Sequence, residues 1–254
     1  MSILEVRDLR KAFGGVKAVD CVSFSVREKE IFGIIGPNGA GKTTVFNLIT
    51  GIYKPDGGSI MFKGVELTRL KPYSIAHLGI SRTFQNLRLF NNLTVYENVL
   101  SAGLSKENYS LYSAFLTTPK YMRVEKETKK KADEILRFFG LLNKSQNKAG
   151  SLPYGEQRKL ELARALMTQP KLILIDEPGA GMNPKEISDL ARLLLEVKER
   201  YELTMMIIEH QMGLIMNIAD RIMVMDFGEK IMEGKPEEVK RDKRVIEAYL
   251  GESA

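Results

Sequence analysis

The stretch from Ile31 to Thr50 constrains the fold more than any other part of the chain. It reads IFGIIGPNGAGKTTVFNLIT, a short apolar run followed by a glycine-rich segment and then by a helix-forming segment. Residues 36–43 fit the pattern G-x-x-x-x-G-K-[ST] at every fixed position. Such glycines let backbone N–H groups converge on phosphate oxygens, and the following helix presents the positive end of its dipole. This order predicts a phosphate-binding loop and disfavours a glycine-rich turn that binds nothing.

Two side chains of this loop are suited to a nucleotide and its metal. Lys42 is placed to reach the β- and γ-phosphates. Thr43 is placed to offer its hydroxyl to Mg²⁺, because this hard cation takes oxygen ligands and bridges phosphates. The residues predicted to contact the nucleotide here are Gly36, Pro37, Asn38, Gly39, Ala40, Gly41, Lys42, Thr43 and Thr44.

The composition is that of an ordinary globular protein. The chain has 254 residues, and 44% are hydrophobic, enough for one large α/β domain or two packed lobes. No apolar run approaches the roughly 20 residues of a membrane span, and the first residues, MSILEVRDLRK, lack a signal-peptide core. The single cysteine, Cys21, suits a reducing cytosol. Any membrane role is therefore expected to be peripheral.

The net charge of +6 is compatible with nucleic acid, an anionic membrane surface, or neither. The densest basic group lies between Lys120 and Lys131 and is interleaved with acidic residues. This pattern is typical of a solvated helix face, with a membrane or partner contact as the alternative.

Periodicity divides much of the remaining chain into strands and helices. Residues 3–35 alternate in hydrophobicity and are interrupted at Gly14-Gly15, which predicts antiparallel strands. Thr94-x-x-Glu97 is a capping box before a helix over 95–102. Residues 103–124 lose this periodicity and are predicted to form an irregular insertion, before a helix over 126–139.

Polar residues follow the predicted strands of the core. The apolar run Leu172–Ile175 is typical of a buried parallel strand and ends in Asp176 and Glu177. Asp176 is predicted to hold Mg²⁺, and Glu177 to orient and deprotonate the attacking water, with helix capping as the alternative for either. Gln85, after another strand, is a candidate ligand of Mg²⁺ and sensor of the γ-phosphate.

His210 is a candidate for its position. It follows the apolar strand Thr204–Ile208, whose end is expected beside that of Ile175 at the ligand-binding edge of the sheet. There it would bond the γ-phosphate and hold Glu177, although a lone histidine is more often structural. Phe13, at the first turn, either fills the core or stacks on a base.

In this order the motifs resemble those of the ATP-binding cassette (ABC) ATPases over nearly the whole chain. Residues 36–43 resemble the Walker A motif, 172–176 the Walker B strand, Glu177 the catalytic base and His210 the switch histidine. Gln85 resembles the Q-loop glutamine and Phe13 the adenine-stacking aromatic. The signature position, expected to face ATP bound to a partner cassette, holds Leu152, Pro153, Tyr154, Gly155, Glu156 and Gln157.

The resemblance implies an α/β fold: a P-loop NTPase (RecA-like) core with an antiparallel β lobe and a helical signature lobe. The expected lobes of this single domain are residues 1–85 with 161–254, and residues 86–160. ATP and Mg²⁺ are the implied cofactors, with Thr43, Gln85 and Asp176 as metal ligands. Two departures matter, since Pro153 stands where the family usually has serine, and Asn183 where it has aspartate.

Within the family, residues 82–90, the insertion and residues 248–252 look most like ATPase subunits of branched-chain amino acid importers. Lipopolysaccharide-export and urea-uptake ATPases look similar. A soluble cassette protein acting on nucleic acid or ribosomes is a further alternative, although the chain lacks the coiled-coil insertion or second cassette usual there. A small-molecule P-loop kinase would have no use for a signature segment.

The importer resemblance implies an ATPase that couples ATP binding and hydrolysis to amino acid uptake at the cytoplasmic face of the membrane. The implied partners are a second ABC ATPase subunit, integral membrane permease subunits and, indirectly, an extracytoplasmic substrate-binding protein; no nucleic acid is expected. The surface around Gln85, Leu89, Phe90 and the 103–124 insertion is predicted to dock a permease helix, with core packing as the alternative.

Overall fold

The computed structural model describes residues 1–83, 88–104 and 119–250, without the side chains of residues 104, 119–121 and 250. The chain divides into two compact units, Met1–Gln85 with Lys171–Ala254, and Asn86–Pro170. The second division lies at Pro170, where the sequence suggested residue 160. The difference arises because one helix of the second unit continues to Met167.

The first unit contains two β-sheets. The strands are β1 (Ser2–Phe13), β2 (Val16–Arg27), β3 (Ile31–Ile35), β4 (Gly57–Phe62), β5 (Val65–Glu66), β6 (Ile80–Arg82), β7 (Leu172–Asp176), β8 (Thr204–Ile208), β9 (Arg221–Asp226) and β10 (Glu229–Gly234). A four-stranded antiparallel sheet has the order β2-β1-β4-β5, and a six-stranded sheet has the order β10-β9-β3-β8-β7-β6. The predicted α/β core with an antiparallel β lobe is confirmed.

The six-stranded sheet is parallel except for the edge strand β10, which pairs antiparallel with β9. Every residue of β3, β7 and β8 is buried, as expected where both faces of a parallel sheet are covered. The rings of Phe24 and Phe32, from the two sheets, stack with their centroids 5.4 Å apart. The two sheets therefore share one apolar core.

Among the described residues, six helices belong to the first unit and three to the second. Those of the first unit are α1 (Lys42–Ile49), α2 (Pro72–His77), α6 (Pro184–Tyr201), α7 (Met212–Ile218), α8 (Pro236–Val239) and α9 (Lys243–Leu250). Those of the second are α3 (Val95–Leu104), α4 (Pro119–Phe138) and α5 (Tyr154–Met167), with 3₁₀ turns at Leu142–Lys144 and Ala149–Ser151. Across the described ranges, no helix combines the length and the apolar content that crossing a membrane requires.

The insertion is less irregular than the sequence suggested. Helix α4 begins at Pro119, so the prediction of irregular structure is wrong for residues 119–124, while residues 105–118 lie outside the described part. Its exposed charges pair at i,i+4 spacing, including Arg123 with Glu127 and Lys129 with Glu125. These pairs favour the solvated-face interpretation of the basic group.

The start of α3 follows the predicted capping box. The Thr94 hydroxyl accepts the N–H of Glu97, and the Glu97 carboxylate accepts the N–H of Thr94. The fully buried Asn98 holds the preceding loop, since its amide accepts the N–H of Phe90 and donates to the carbonyl of Phe90. The loop before α3 is therefore fixed by side chains of the helix itself.

Candidate functional site

The glycine-rich segment connects β3 to α1 as the sequence predicted. Gly36 and Gly41 have φ angles of 149° and 93°. A Cβ on Gly36 would lie 2.0 Å from the carbonyl oxygen of Met225, and one on Gly41 2.1 Å from that of Ala18. The loop can therefore follow this path only with glycine at both positions.

Lys42 lies across this loop. Its buried ammonium donates hydrogen bonds to the carbonyl oxygens of Gly36 and Pro37, both at 2.6 Å. An ammonium group that lies beside the backbone of this loop, at a helix N-terminus, is positioned to meet phosphate oxygens. Thr43 and Thr44 follow within the first turn of α1, where Thr43 is exposed.

The parallel strands β7 and β8 bring the other predicted residues together. Asp176 lies opposite Ile208 in the register, so Glu177 and His210 follow at neighbouring strand ends. The distance between Nε2 of His210 and Oε1 of Glu177 is 2.6 Å. The imidazole ring and the carboxylate are therefore within hydrogen-bonding distance of each other. The expectation that these strand ends lie side by side is confirmed.

Glu177 adopts a backbone conformation that is uncommon for a residue with a side chain. Its φ angle is 46°, in the left-handed region, and its N–H donates to the carbonyl of Ile208 at 2.9 Å. Such strain persists where surrounding contacts impose it, and it is frequent at functional sites. The next helix, α6, is capped by Asn183, whose side chain accepts two backbone N–H groups. The helix-cap interpretation of Asp176 and Glu177 is therefore wrong.

Asp176 is buried beside Arg82 of β6. Its Oδ2 lies 2.8 Å from Nη2 of Arg82, and the two side chains are 3% and 7% exposed. Arg82 also donates to Oδ1 of Asn47 on α1 at 2.6 Å. Burial raises the pKa of Asp176, while the hydrogen bond and charge of Arg82 oppose this shift.

The second oxygen of Asp176 has a different environment. Oδ1 is buried and has no hydrogen-bond partner among the described residues. The positive charge of Lys42, on the phosphate loop, also acts on this carboxylate and lowers its pKa. A desolvated carboxylate oxygen at this position is the kind of ligand that Mg²⁺ takes. Within the described ranges, no three His, Cys, Asp or Glu side chains gather into a metal site.

Two predicted residues stand apart from this arrangement. Gln85 lies outside the described residues, so its predicted contacts stay a prediction. Phe13 is 41% exposed, with its ring edge-on to that of Tyr53 at 5.1 Å and the ammonium of Lys11 5.4 Å from its centre. This exposure argues against core filling and favours a ring available for stacking.

The signature segment lies in the second unit, at the start of α5. Pro153 is the N-cap residue and offers no side-chain hydrogen bond. The Tyr154 hydroxyl accepts from Nη2 of Arg158 at 2.6 Å, so this side chain folds back along the helix. A Cβ built on Gly155 would meet no described atom within 4 Å. The helix N-terminus at Gly155 is therefore open.

The remaining signature residues are fixed by local bonds. Glu156 pairs with Lys144 at 2.6 Å, and the Gln157 amide donates to the carbonyl of Leu152 at 2.8 Å. The contacts that hold the signature segment therefore come from its own unit.

Sequence reasoning missed two residues of the site. Arg82 is the last residue of β6, and Glu209 directly follows Ile208, the last residue of β8. Both are charged residues at the ends of buried strands, which is the same signal that identified Asp176. Their role was hidden because the sequence does not give the order of the strands.

Comparison with known proteins supplies the family context of this site. The family model described as ABC transporter matches residues 19–180, and one described as branched-chain amino acid ATP-binding cassette transporter matches residues 229–254. The chain is similar to the high-affinity branched-chain amino acid transport ATP-binding protein LivG of Salmonella typhimurium, with 45% identity over 99% of this chain and 98% of the relative. It is 44% identical, at the same coverage, to the corresponding protein BraF of Pseudomonas aeruginosa.

A solved structure gives the same context. The ADP conformation of an ATP-binding cassette of an ABC transporter is similar to this chain, with a TM-score of 0.86 and 38% identity over 99% of both chains.

Proposed function

The chain belongs to the ABC transporter family as an ATPase subunit, and we propose that it energises the import of branched-chain amino acids. The 45% identity to LivG over 99% of the chain supports this cargo, as does the family match of residues 229–254. The observation that carries the ATPase mechanism is the 2.6 Å contact between Glu177 and His210 at the carboxyl edge of the sheet.

ATP is bound by the loop between β3 and α1. Lys42 leaves the carbonyl groups of Gly36 and Pro37 and meets the β- and γ-phosphates, while backbone N–H groups of residues 38–44 surround them. Phe13 stacks on the adenine ring through its exposed face.

Mg²⁺ fits the oxygen ligands present at this loop. The Thr43 hydroxyl and the unpaired Oδ1 of Asp176 would hold the ion, directly or through water, together with Gln85. When bound, the ion neutralises charge on the phosphates.

Hydrolysis requires a base and an orienting group. Glu177 accepts a proton from the attacking water, and His210 holds the Glu177 carboxylate through its Nε2–H and turns toward the γ-phosphate. The fixed left-handed backbone of Glu177 limits the directions in which its carboxylate can point. Base and orienting group are thus preset by backbone pairing of β7 with β8.

We further propose that the chain acts at the cytoplasmic face of the membrane with a second ABC ATPase subunit. The signature residues 152–157 would face ATP on that partner through the open N-terminus at Gly155. Integral permease subunits bind the surface around Phe90, which is 51% exposed, and an extracytoplasmic binding protein delivers the amino acid. No nucleic acid partner is proposed.

Uptake by membrane vesicles that contain the chain and its permeases tests this function. The vesicles are prepared with the cytoplasmic side of the membrane facing the lumen, and ATP is enclosed in the lumen. Labelled leucine, isoleucine and valine should then be taken up when the binding protein is present. Lys42→Ala should abolish this uptake. Uptake of urea in place of amino acids would contradict the cargo. Uptake without ATP hydrolysis would contradict the ATPase role.

A further inference from the structure

Glu209 is a buried carboxylate next to the site, at the end of β8. It is 1% exposed, and no ion pair involves it among the described residues. Three backbone N–H groups surround it instead. Its Oε1 accepts from His210 at 2.8 Å and from Gln211 at 3.0 Å, and its Oε2 accepts from Gly179 at 3.0 Å. A buried carboxylate is costly without such bonds, so this geometry has to be maintained by the fold.

These bonds join the loops that carry Glu177 and His210. Gly179 lies two residues after Glu177, on the loop that follows β7. Its N–H donates to Glu209, and its carbonyl accepts from the Gln211 side chain at 2.8 Å. Both polar groups of Gly179 are therefore held by the residues on either side of His210.

The identity of residue 179 is explained by this approach. A Cβ there would lie 3.0 Å from Oε2 of Glu209 and 2.7 Å from Cδ1 of Ile187. A side chain at position 179 would therefore crowd the Glu209 carboxylate and the tip of the Ile187 side chain.

We propose that Glu209 is a positioning residue of the ATPase reaction. Its carboxylate fastens the loop after β7 to the loop after β8, and thereby keeps Glu177 and His210 at bonding distance. This inference rests on the proposed function, because it assigns a role within the same site. Glu209 contacts neither water nor nucleotide in this role and acts through the backbone alone. A displacement of about 1 Å at a reacting group lowers the rate roughly 10²-fold. Loss of the bonds that hold the two loops together should therefore lower turnover.

Glu209→Gln in the full-length chain tests the inference. The amide has nearly the same shape, but its NH₂ group cannot accept a backbone N–H, so in either orientation at least one of the three bonds is lost. We expect kcat to fall about 10- to 100-fold, with the KM for ATP changed less than about twofold, since the phosphate loop is untouched.

Glu30→Gln is a control for the loss of a buried carboxylate away from this site. Glu30 accepts the backbone N–H of Arg27 at 2.7 Å and also pairs with Arg221 at 3.3 Å, but it precedes β3 at the opposite edge of the sheet. We expect this variant to keep the wild-type kcat. Wild-type kcat in Glu209→Gln, or equal losses of kcat in both variants, would overturn the positioning role.

A second variant covers the case in which Glu209→Gln does not fold. Gln211→Leu removes the other half of the clamp on Gly179 and is expected to lower kcat with little change in KM; an unchanged kcat would then refute the inference. If the wild-type chain hydrolyses no ATP, the proposed function fails as well. If wild type is active and Glu177→Gln is not, failure of the Glu209 and Gln211 variants to slow turnover concerns this inference alone.

Discussion

Replacing Arg82 by methionine should expose the energetic role of the buried ion pair at Asp176. The substitution removes the guanidinium that lies 2.8 Å from Oδ2 of Asp176, and with it the hydrogen bond to Asn47. Methionine retains part of the apolar stem beside Phe46, whose ring centre lies 5.6 Å from the guanidinium carbon. The variant therefore chiefly leaves a buried carboxylate without its cation.

The expected cost follows from that burial. Removing one member of a buried ion pair typically destabilises a protein by about 3–5 kcal/mol, because the remaining charge stays desolvated. In a chain of this length, about 1 kcal/mol shifts the Tm by roughly 2–4 °C. The Tm of Arg82→Met should therefore fall by roughly 6–20 °C at neutral pH.

The pH dependence has a definite sign. Burial already raises the pKa of Asp176 above its ordinary value, and loss of Arg82 raises it further. A carboxyl with a raised folded-state pKa binds its proton more tightly in the folded state, so stability is lost as pH rises through that pKa. The difference in Tm between wild type and Arg82→Met should thus be largest at neutral pH. It should become smaller toward about pH 4, near the pKa of aspartate in the unfolded chain.

Thermal melts of wild type and variant between pH 4 and pH 8 measure this effect. Lys29→Met is the control, because it breaks the exposed pair of Lys29 with Glu202 and should leave the Tm unchanged. Adding Asp176→Asn to Arg82→Met should recover part of the loss, since the amide carries no charge. A melt of Arg82→Met that matches that of Lys29→Met, or a deficit that is constant with pH, would refute the reasoning.

Three further predictions concern ligands and partners. Lys42→Ala should weaken ATP binding about 10- to 150-fold in calorimetric titrations, as expected for a lost charge-assisted hydrogen bond of roughly 1.5–3 kcal/mol; unchanged affinity would refute its role. Pro153→Ser, in a Glu177→Gln background, should strengthen ATP-dependent association with the partner cassette up to about tenfold by light scattering, since it restores one donor to phosphate; no gain would contradict this. Phe90→Ser should abolish vesicle transport with ATP affinity intact, whereas equal losses would indicate a core role.

The centre of the site could be predicted because its residues end strongly apolar strands. The limits of Thr204–Ile208 were predicted as observed, and the parallel pairing of β7 with β8 then brings His210 to Glu177. The phosphate loop was equally clear, because the spacing of its glycines, lysine and threonine leaves few other structures.

The supporting contacts could not be predicted, because they depend on which strands are neighbours. Arg82 meets Asp176 across 94 positions of sequence only because β6 pairs with β7. Glu209 reaches Gly179 through a loop approach that no local pattern encodes.

The predicted bounds of helices and strands were wrong where the hydrophobic periodicity of the sequence was weak. Helix α4 begins seven residues before the predicted Lys126, among aromatic and polar residues without clear spacing. Strand β10, EKIMEG, was missed because it carries three charged residues, as edge strands often do, and is stabilised by pairing with β9.

The central claim is that Glu177, held by His210, activates the water that attacks ATP. The most direct measurement is single-turnover hydrolysis of ATP by the full chain with Glu177→Gln, compared with wild type at saturating ATP and Mg²⁺. The account predicts ATP binding within about twofold of wild type and a hydrolysis rate reduced by at least about 10²-fold, the contribution of a positioned general base. Hydrolysis by Glu177→Gln at the wild-type rate, with ATP bound, would contradict it.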